Sequence, residues 1–135
     1  MNEPIAFPDA EAALVAWLPG VIATYGVDAP VYTRTPNPRP DQFVKVFRTG
    51  GPSRSVVLDD AQITVECWGQ SDSEAADMAL VVRAVILATA NTEAGDALIY
   101  RAREFSGPAR LPDESGQPRY SWTVQVTTRG VPLTV

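Results

Sequence analysis

Apolar residues recur at the spacing of one helical face near the amino end of the chain. The positions that share this face are Ala10, Ala13, Leu14, Trp17, Leu18, Val21, Ile22 and Tyr25. The spacing predicts an amphipathic helix that packs against a core, with the Asp9 side chain as its N-cap. Pro19 lacks a backbone N–H and clashes with the preceding turn, so we expect a kink or a brief break at this position.

A longer apolar stretch at residues 71–90 predicts the clearest helix in the chain. Ser71 and Glu74 have capping-box spacing, and acidic residues occupy the first turn, where they complement the helix dipole. Six apolar residues share the face that is predicted to pack on a sheet: Ala75, Met78, Ala79, Val82, Val85 and Ile86. Val81 and Leu87 widen this face. We therefore expect more than one side of the helix to be buried, as subunit packing would explain.

Alternating apolar and polar residues predict strands in much of the remaining chain. Residues 42–49 and 56–69 are typical of two strands of a hairpin, with an irregular Gly-rich loop between them. A further strand is predicted at 97–105 and a last one at 119–130. This order predicts a single α+β domain over residues 1–135, with an antiparallel or mixed sheet of about four strands and two helices packed mainly on one face.

The strand predicted at 56–69 has one apolar face and one mixed face. Its residues alternate between them in the order Ile63, Thr64, Val65, Glu66, Cys67 and Trp68. A tryptophan on the outer face indicates that a helix or a partner covers it. The exposed edges of such a sheet also invite pairing with another subunit, by strand addition or by hairpin insertion.

The acidic balance of the chain argues against a protein that grips nucleic acid. Its 135 residues carry a formal net charge of -5, whereas phosphate binding depends on clustered Lys and Arg. Ten of the cationic residues are arginines, with Lys45 alone as lysine, and the planar guanidinium suits contacts between proteins. The amino end lacks a secretory pattern and no apolar run reaches the length of a membrane span, so we expect a soluble cytoplasmic product.

The residue types present also disfavour catalysis. The chain has no histidine, which removes the usual general base, the commonest zinc ligand and the Ser/His/Asp arrangement. Cys67 is the single cysteine, so we expect no internal disulfide, no cysteine-rich metal cluster and a buried, inert thiol. Two acid pairs are interpreted as solvated: Asp59 with Asp60, and Asp113 with Glu114. The sequence predicts a protein that is not an enzyme, with no catalytic residue, metal ligand or cofactor.

The sequence RTGGPSRS, at residues 48–55, is compatible with a phosphate cradle or with a turn. A Walker loop needs G-x-x-x-x-G-K-[ST] between a strand and a helix, but here the spacing and the lysine are missing and a strand follows. We interpret the stretch as a hairpin tip in which Gly50 and Gly51 supply positive φ angles. Arg48 and Arg54 are expected to project toward protein neighbours, so their replacement by Ala should leave thermal stability nearly unchanged.

A proline-rich arm precedes the first predicted strand of the hairpin. Pro36, Pro38 and Pro40, with Arg39 between them, forbid a strand ladder and favour an extended conformation. Such an arm serves either as a stiff connector within the chain or as a docking arm for a neighbouring subunit.

The loop predicted at 106–118 is long for so small a domain, and three prolines stiffen it. A stiff loop loses little entropy on docking, which suits an assembly contact. Four charged residues in or beside it could pair across an interface: Arg110, Asp113, Glu114 and Arg119. A merely solvated loop is the alternative.

Four segments, taken in order, carry a family resemblance. They read PNPRPDQFVKVFRTGGP, ITVECWG, EAADMALVVRAVI and GPARLPDESGQPRYSWTVQV. As a set they resemble the tail terminator proteins of long-tailed actinobacteriophages, over residues 7–130. Related terminators have a small α/β fold of the kind predicted above.

The resemblance implies a non-enzymatic ring, typically six-fold, that caps the last ring of tail-tube protein, stops tube growth and presents a surface for the head connector. The implied partners are further copies of the chain, the major tail tube protein and head–tail connector proteins, with no membrane. DNA would pass through the ring without specific binding. The protein would be assembled in the host cytoplasm and reside in the virion, at the head–tail junction.

Contacts and bore walls can be assigned to residues on this basis. The predicted contacts with other subunits or with the tube lie at Pro36, Pro38, Arg39, Pro40, Arg48, Gly50, Gly51, Arg54, Arg110 and Arg119. A bore that passes DNA without holding it should have acidic or neutral walls, because basic walls would bind the phosphates. The acidic candidates for those walls are Asp59, Asp60, Asp113 and Glu114.

Two alternatives stay open. A head-closure or neck protein of the same virion has similar size and charge and also forms rings. A small ligand-binding or hydrolytic α+β domain would need a concave pocket with convergent polar groups.

Overall fold

Two helices lie against one face of a mixed six-stranded sheet in the computed structural model, which describes residues 3–134. The helices are α1 (Ala10–Thr24) and α2 (Asp72–Leu87). The eight strands are β1 (Ile5–Ala6), β2 (Val31–Tyr32), β3 (Phe43–Gly50), β4 (Leu58–Trp68), β5 (Thr92–Ala94), β6 (Ala97–Arg110), β7 (Arg119–Arg129) and β8 (Val131–Pro132). The predicted α+β class with two helices is confirmed.

The large sheet has the strand order β2-β3-β4-β7-β6-β5, and β1 pairs with β8 in a separate two-stranded sheet. The pairs within the large sheet are antiparallel except β2 with β3, which run parallel. The prediction of about four strands is too low, because it includes only β3, β4, β6 and β7. Strands β2 and β5 have two and three residues, which is too short for an alternating pattern to be visible, although the composition of residues 31–35 is typical of a strand.

Helix α1 begins as predicted, with the Asp9 carboxylate accepting a hydrogen bond of 3.0 Å from the Ala12 backbone N–H. It runs through Pro19 as one continuous helix, so the predicted break is absent. Leu18 and Ile22, on either side of the proline, are fully buried. Their packing offsets a cost of about 3 kcal/mol for a proline inside a helix.

Helix α2 confirms its predicted cap and its predicted inner face. The Ser71 hydroxyl accepts a bond of 3.1 Å from the Glu74 N–H, and the Glu74 carboxylate accepts one of 2.9 Å from the Gln70 N–H. All six residues predicted to face the sheet are buried. The helix ends at Leu87, a turn before the predicted end near residue 90.

Strand β6 extends five residues past its predicted end, to Arg110. Register shifts near Ser106 let the strand continue to pair with β7, because a bulge accommodates the residue that cannot join the ladder, here Pro108. The predicted long loop at 106–118 therefore shortens to 111–118. Within residues 3–134, neither helix has the length and apolar character needed to cross a membrane.

Candidate assembly surfaces

The hairpin tip between β3 and β4 has the predicted glycine geometry. Gly50 has a φ of 131° and Gly51 a φ of 91°, both in a region that side chains rarely adopt. A Cβ at Gly51 would overlap the backbone carbonyl oxygen of Asp60 and lie 2.6 Å from the Gln62 backbone nitrogen. The tip thus folds back tightly against the start of β4.

Arg48 holds this tip in place and does not project from it. Its Nη1 and Nη2 donate to the two carboxylate oxygens of Asp59, at 2.8 and 3.2 Å. Its Nε and Nη2 also donate to the backbone carbonyls of Gly50 and Gly51, each at 2.9 Å. Asp59 is only 3% exposed. The guanidinium of Arg48 thus neutralises a buried carboxylate of its own chain, and a further contact of Arg48 with a neighbouring subunit stays a prediction.

Arg54 is also paired within the chain, although it is more open to solvent. Its Nε donates to Asp60 at 2.8 Å, and the Thr127 hydroxyl donates to the same carboxylate at 2.6 Å. Burial opposes ionisation of Asp60, but hydrogen bonds from Thr127, Arg54 and Gln125 outweigh it and lower the pKa. The large apolar side chains exposed at the tip are Val56 and Val57.

The proline-rich arm is attached to the loop at 111–118. Arg39 Nη1 donates to Asp113 at 3.2 Å and to the Ser115 hydroxyl at 2.9 Å. The side-chain amide of Gln117 donates to the carbonyls of Pro40 and Asp41 at 3.1 and 3.0 Å. These bonds favour the interpretation of the arm as a connector. Pro36 is half-buried and Pro38 is exposed, and their contact with a partner stays a prediction.

Trp68, predicted to be covered by a helix or a partner, is covered by the chain itself. Its indole stacks on Phe43 at 5.2 Å between ring centroids. The guanidinium carbons of Arg39 and Arg119 lie 5.0 and 4.9 Å from its ring centroid, within the range of cation–π attraction. The tryptophan is therefore 2% exposed without another subunit.

Arg119 is committed to contacts inside the chain. It donates to Glu66 at 3.4 Å and to the carbonyls of Leu111 and Pro112 at 3.1 Å each. Arg110 pairs with Asp72 at 3.0 Å on the surface, where its side chain is 63% exposed. Among the predicted contact residues that form an ion pair, Arg110 has the most exposed side chain.

The four acidic residues predicted to line a bore do not form one surface. Asp59 is buried against Arg48, and Asp60 lies in the bonded group with Arg54 and Thr127. Hydrogen bonds from the Ser115 hydroxyl and backbone N–H lower the pKa of Asp113 to about 2, and Arg39 neutralises it. Glu114 is exposed, so it is the member of this set that stays a candidate for a bore wall.

An extensive apolar surface lies between the two helices. Eight residues line a groove of about 460 Å³, here called the helical groove: Trp17, Val21, Tyr25, Leu80, Val81, Ala84, Val85 and Ala88. Leu80 is 70% exposed and Tyr25 66% exposed. A second groove of about 420 Å³ continues past Leu80 to Leu87. Contiguous apolar surface of this kind marks a contact site more often than it marks a solvated face.

The sequence carried a signal for this surface that periodicity alone did not reveal. Residues 12–27, which span most of α1, contain no charged residue, and neither do residues 84–92 at the end of α2. Exposed faces of soluble domains are typically about one quarter to one third charged. The extra apolar residues predicted for α2 thus belong to an exposed surface in the structure. A partner that covers this surface stays a prediction.

An acidic groove lies next to the helical groove. A neighbouring groove of about 450 Å³ shares Tyr25 and Val81 with it and is lined by the carboxylates of Asp28, Glu74 and Asp77. The helical side of the domain therefore presents an apolar half followed by an acidic half.

The face of the sheet opposite the helices carries two exposed arginines and an exposed phenylalanine on strand β6, here called the β6 row. Arg101, Arg103 and Phe105 are exposed, whereas the residues between them are half-buried and face the helices. Ala102 packs against the core and Glu104 bonds to Arg83 of α2. Neither arginine of this β6 row makes an ion pair with any residue between 3 and 134. The alternating pattern predicted this strand, but the sequence could not show that its two arginines lie without acidic partners among residues 3–134, because ion pairs depend on residues distant in the chain.

No family model matches this chain, and no curated protein matches it. The function is therefore inferred from its residues and their geometry.

Proposed function

We propose that this chain is a structural protein of a long-tailed bacteriophage that forms a ring on the tail tube, stops tube polymerisation and provides the attachment surface for the head connector. The observation that carries the proposal is the uncharged helical groove, with Leu80 and Tyr25 exposed in the single chain. A small soluble domain gains by covering such a surface, since burial contributes about 25 cal/mol per Å² of apolar area. The kind of assembly, a ring on a tail tube, is proposed because four sequence segments resemble tail terminators.

The placement of the exposed groups favours a ring over a two-fold dimer. The helical groove lies on one side of the two-layer domain, and the β6 row lies on the other. Contacts between unlike patches are heterologous, and they generate a ring when the rotation between subunits closes. The resemblance suggests six subunits, with the tail tube protein bound on one side of the ring and the connector on the other.

The acidic character of the chain is compatible with DNA passing through such a ring. A net charge of -5 opposes tight phosphate binding at the ionic strength of the cell. Glu114, on the exposed loop at 111–118, is the candidate for the bore wall. In this proposal the protein resides in the virion at the head–tail junction after assembly in the host cytoplasm, and it acts through shape and interface chemistry, without enzymatic activity.

Light scattering and electron microscopy test the proposal together. Light scattering of the purified chain, alone and mixed with isolated tail tubes, gives its mass, and negative-stain images of the mixture show where it binds. We expect rings at tube ends. Rings found only on portal-bearing heads would instead identify a neck protein. A strict monomer that ignores tubes and heads and binds a metabolite would contradict both assembly roles.

A further inference from the structure

The helical groove and its acidic extension form one composite surface with a defined order. The apolar half is centred on Leu80 and Ala84, and the acidic half begins at Asp77, one to two turns earlier on α2. The helix rises about 1.5 Å per residue, so Ala84 lies roughly 10 Å along the axis from Asp77 and 15 Å from Glu74. Measured from Leu80, the same two residues lie roughly 5 and 9 Å away, so an occupant should present an apolar group and, roughly 5 to 15 Å from it, one or more cations.

The β6 row has this pattern in a single strand. Phe105 is 55% exposed, and Arg103 and Arg101 follow at alternate positions on the same exposed side of the strand. At about 3.3 Å per residue, Arg103 lies roughly 7 Å from Phe105, and Arg101 lies roughly 13 Å from it. Both separations fall within the range of roughly 5 to 15 Å that divides the apolar half, from Leu80 to Ala84, from the carboxylates of Asp77 and Glu74.

On the premise that the chain forms the ring proposed above, we infer that the β6 row of one subunit docks on the helical groove of the next copy. Phe105 enters the apolar half beside Leu80, and the two arginines face the carboxylates of Asp28 and Asp77. Both sets of charges lack ion-pair partners between residues 3 and 134. Opposite charges across an interface favour the correct partner and register.

The occupant is a second copy because the two surfaces cannot meet within one subunit. Ala102, between the two arginines, packs against the core on the helical side. Since neighbouring residues of a strand point to opposite faces, the arginines point away from the helices of their own chain. The same contact repeated from copy to copy uses each groove and each row once, as a head-to-tail ring requires.

Disulfide cross-linking tests the contact directly. Cys67 is fully buried, so single engineered cysteines supply the reactive thiols. Leu80→Cys and Phe105→Cys are purified separately, mixed and oxidised, both free and in the presence of tail tubes. We expect a covalent dimer in the mixture and little with either variant alone. Ala12→Cys, exposed on α1 in a different groove, is the matched control and should not cross-link to Phe105→Cys.

Charge exchange gives a second test that does not depend on oxidation. Arg101→Glu with Arg103→Glu should weaken self-association about tenfold or more, and so should Asp28→Arg with Asp77→Arg, because like charges then face each other. A mixture of the two double variants should assemble again as an alternating ring. Arg34→Glu, which reverses an exposed arginine outside the row, should have little effect.

The outcomes separate this contact from the proposed function. Rings at tube ends without a cross-link between positions 80 and 105, and without charge-exchange rescue, would reject the contact and keep the terminator. The cross-link and rescue without tube binding would keep the contact and reject the terminator. A Leu80→Cys homodimer in place of the mixed product would show two-fold helix packing and overturn the inference, as would a cross-link to the tail tube protein alone.

Discussion

Replacing Arg48 with Ala provides a sharp test of how the hairpin tip is built. The substitution removes four hydrogen bonds, two to the Asp59 carboxylate and two to backbone carbonyls of the tip. It leaves a carboxylate that is only 3% exposed without a cation. From sequence alone we expected no loss of stability, and the structure reverses that expectation.

The expected loss follows from the burial of the two partners. Removing one member of a buried ion pair costs about 3 to 5 kcal/mol. The Arg48 side chain is 33% exposed, so solvent screens part of the interaction and we expect about 2 to 3 kcal/mol. For a domain of 135 residues this lowers the Tm by roughly 7 to 11 °C.

Urea unfolding and thermal melts of three variants measure this effect. Arg54→Ala is the matched control, because its side chain is 38% exposed and Asp60 keeps its bond from Thr127; we expect about 0.5 to 1 kcal/mol. In the double variant Arg48→Ala, Asp59→Ala, no charge is left unpaired, so part of the stability should return. Equal stability of Arg48→Ala and Arg54→Ala, with no stability regained in the double variant relative to Arg48→Ala, would refute this account of the tip.

Other predictions concern the tip glycine, the loop at 111–118 and the cysteine. Gly51→Ala should destabilise the fold by about 2 kcal/mol or more, because the added Cβ would overlap backbone atoms at a φ of +91°. Gly20→Ala should stabilise the fold by about 0.5 to 1 kcal/mol, because a Cβ at this position in α1 meets nothing within 4 Å. Urea unfolding measures both effects. Asp113 should titrate with a pKa of about 2 in NMR, below its usual 3.8, and Ser115→Ala should raise that pKa. Since the folded pKa is the lower one, Asp113 contributes stability above about pH 4 that disappears as the pH falls toward 2; an unchanged pKa in Ser115→Ala would contradict the assigned cause. Burial raises the pKa of the Cys67 thiol, so a thiol reagent should label it only after unfolding, and fast labelling of the folded chain would show that the core opens.

The elements with strong local signals could be predicted from the sequence. The caps at Asp9 and Ser71 and the inner faces of both helices depend on residues a few positions apart. The four long strands follow from alternation over eight or more residues. In these segments periodicity and capping agree with the tertiary structure.

The partners of the charged residues could not be predicted, because they depend on register and on distant segments. Arg48 bonds to Asp59 across the hairpin, beside a register shift between Arg48 and Gly50 that the sequence pattern does not show. Trp68 is covered by Arg39 and Arg119, which come from an arm and a strand far apart in the chain. Composition shows that the chain has many arginines, but it could not show that six of them form ion pairs within residues 3–134.

The candidate contact surface was only partly visible in the sequence. The extra apolar width of α2 indicated an additional buried side, but the groove also needs Trp17 and Val21 of α1 beside Leu80. The packing of each helix on the sheet determines which of their faces lie side by side. The absence of charge over residues 12–27 was the local sign of an unusual surface.

The effect of this chain on growing tail tubes tests the central claim most directly. Tail tube protein is allowed to polymerise, the purified chain is added at about one ring per tube end, and tube lengths are followed by electron microscopy. We predict that lengthening stops on addition and that rings are seen at the arrested ends. Tubes that continue to lengthen at the rate seen without the chain would contradict a terminator role.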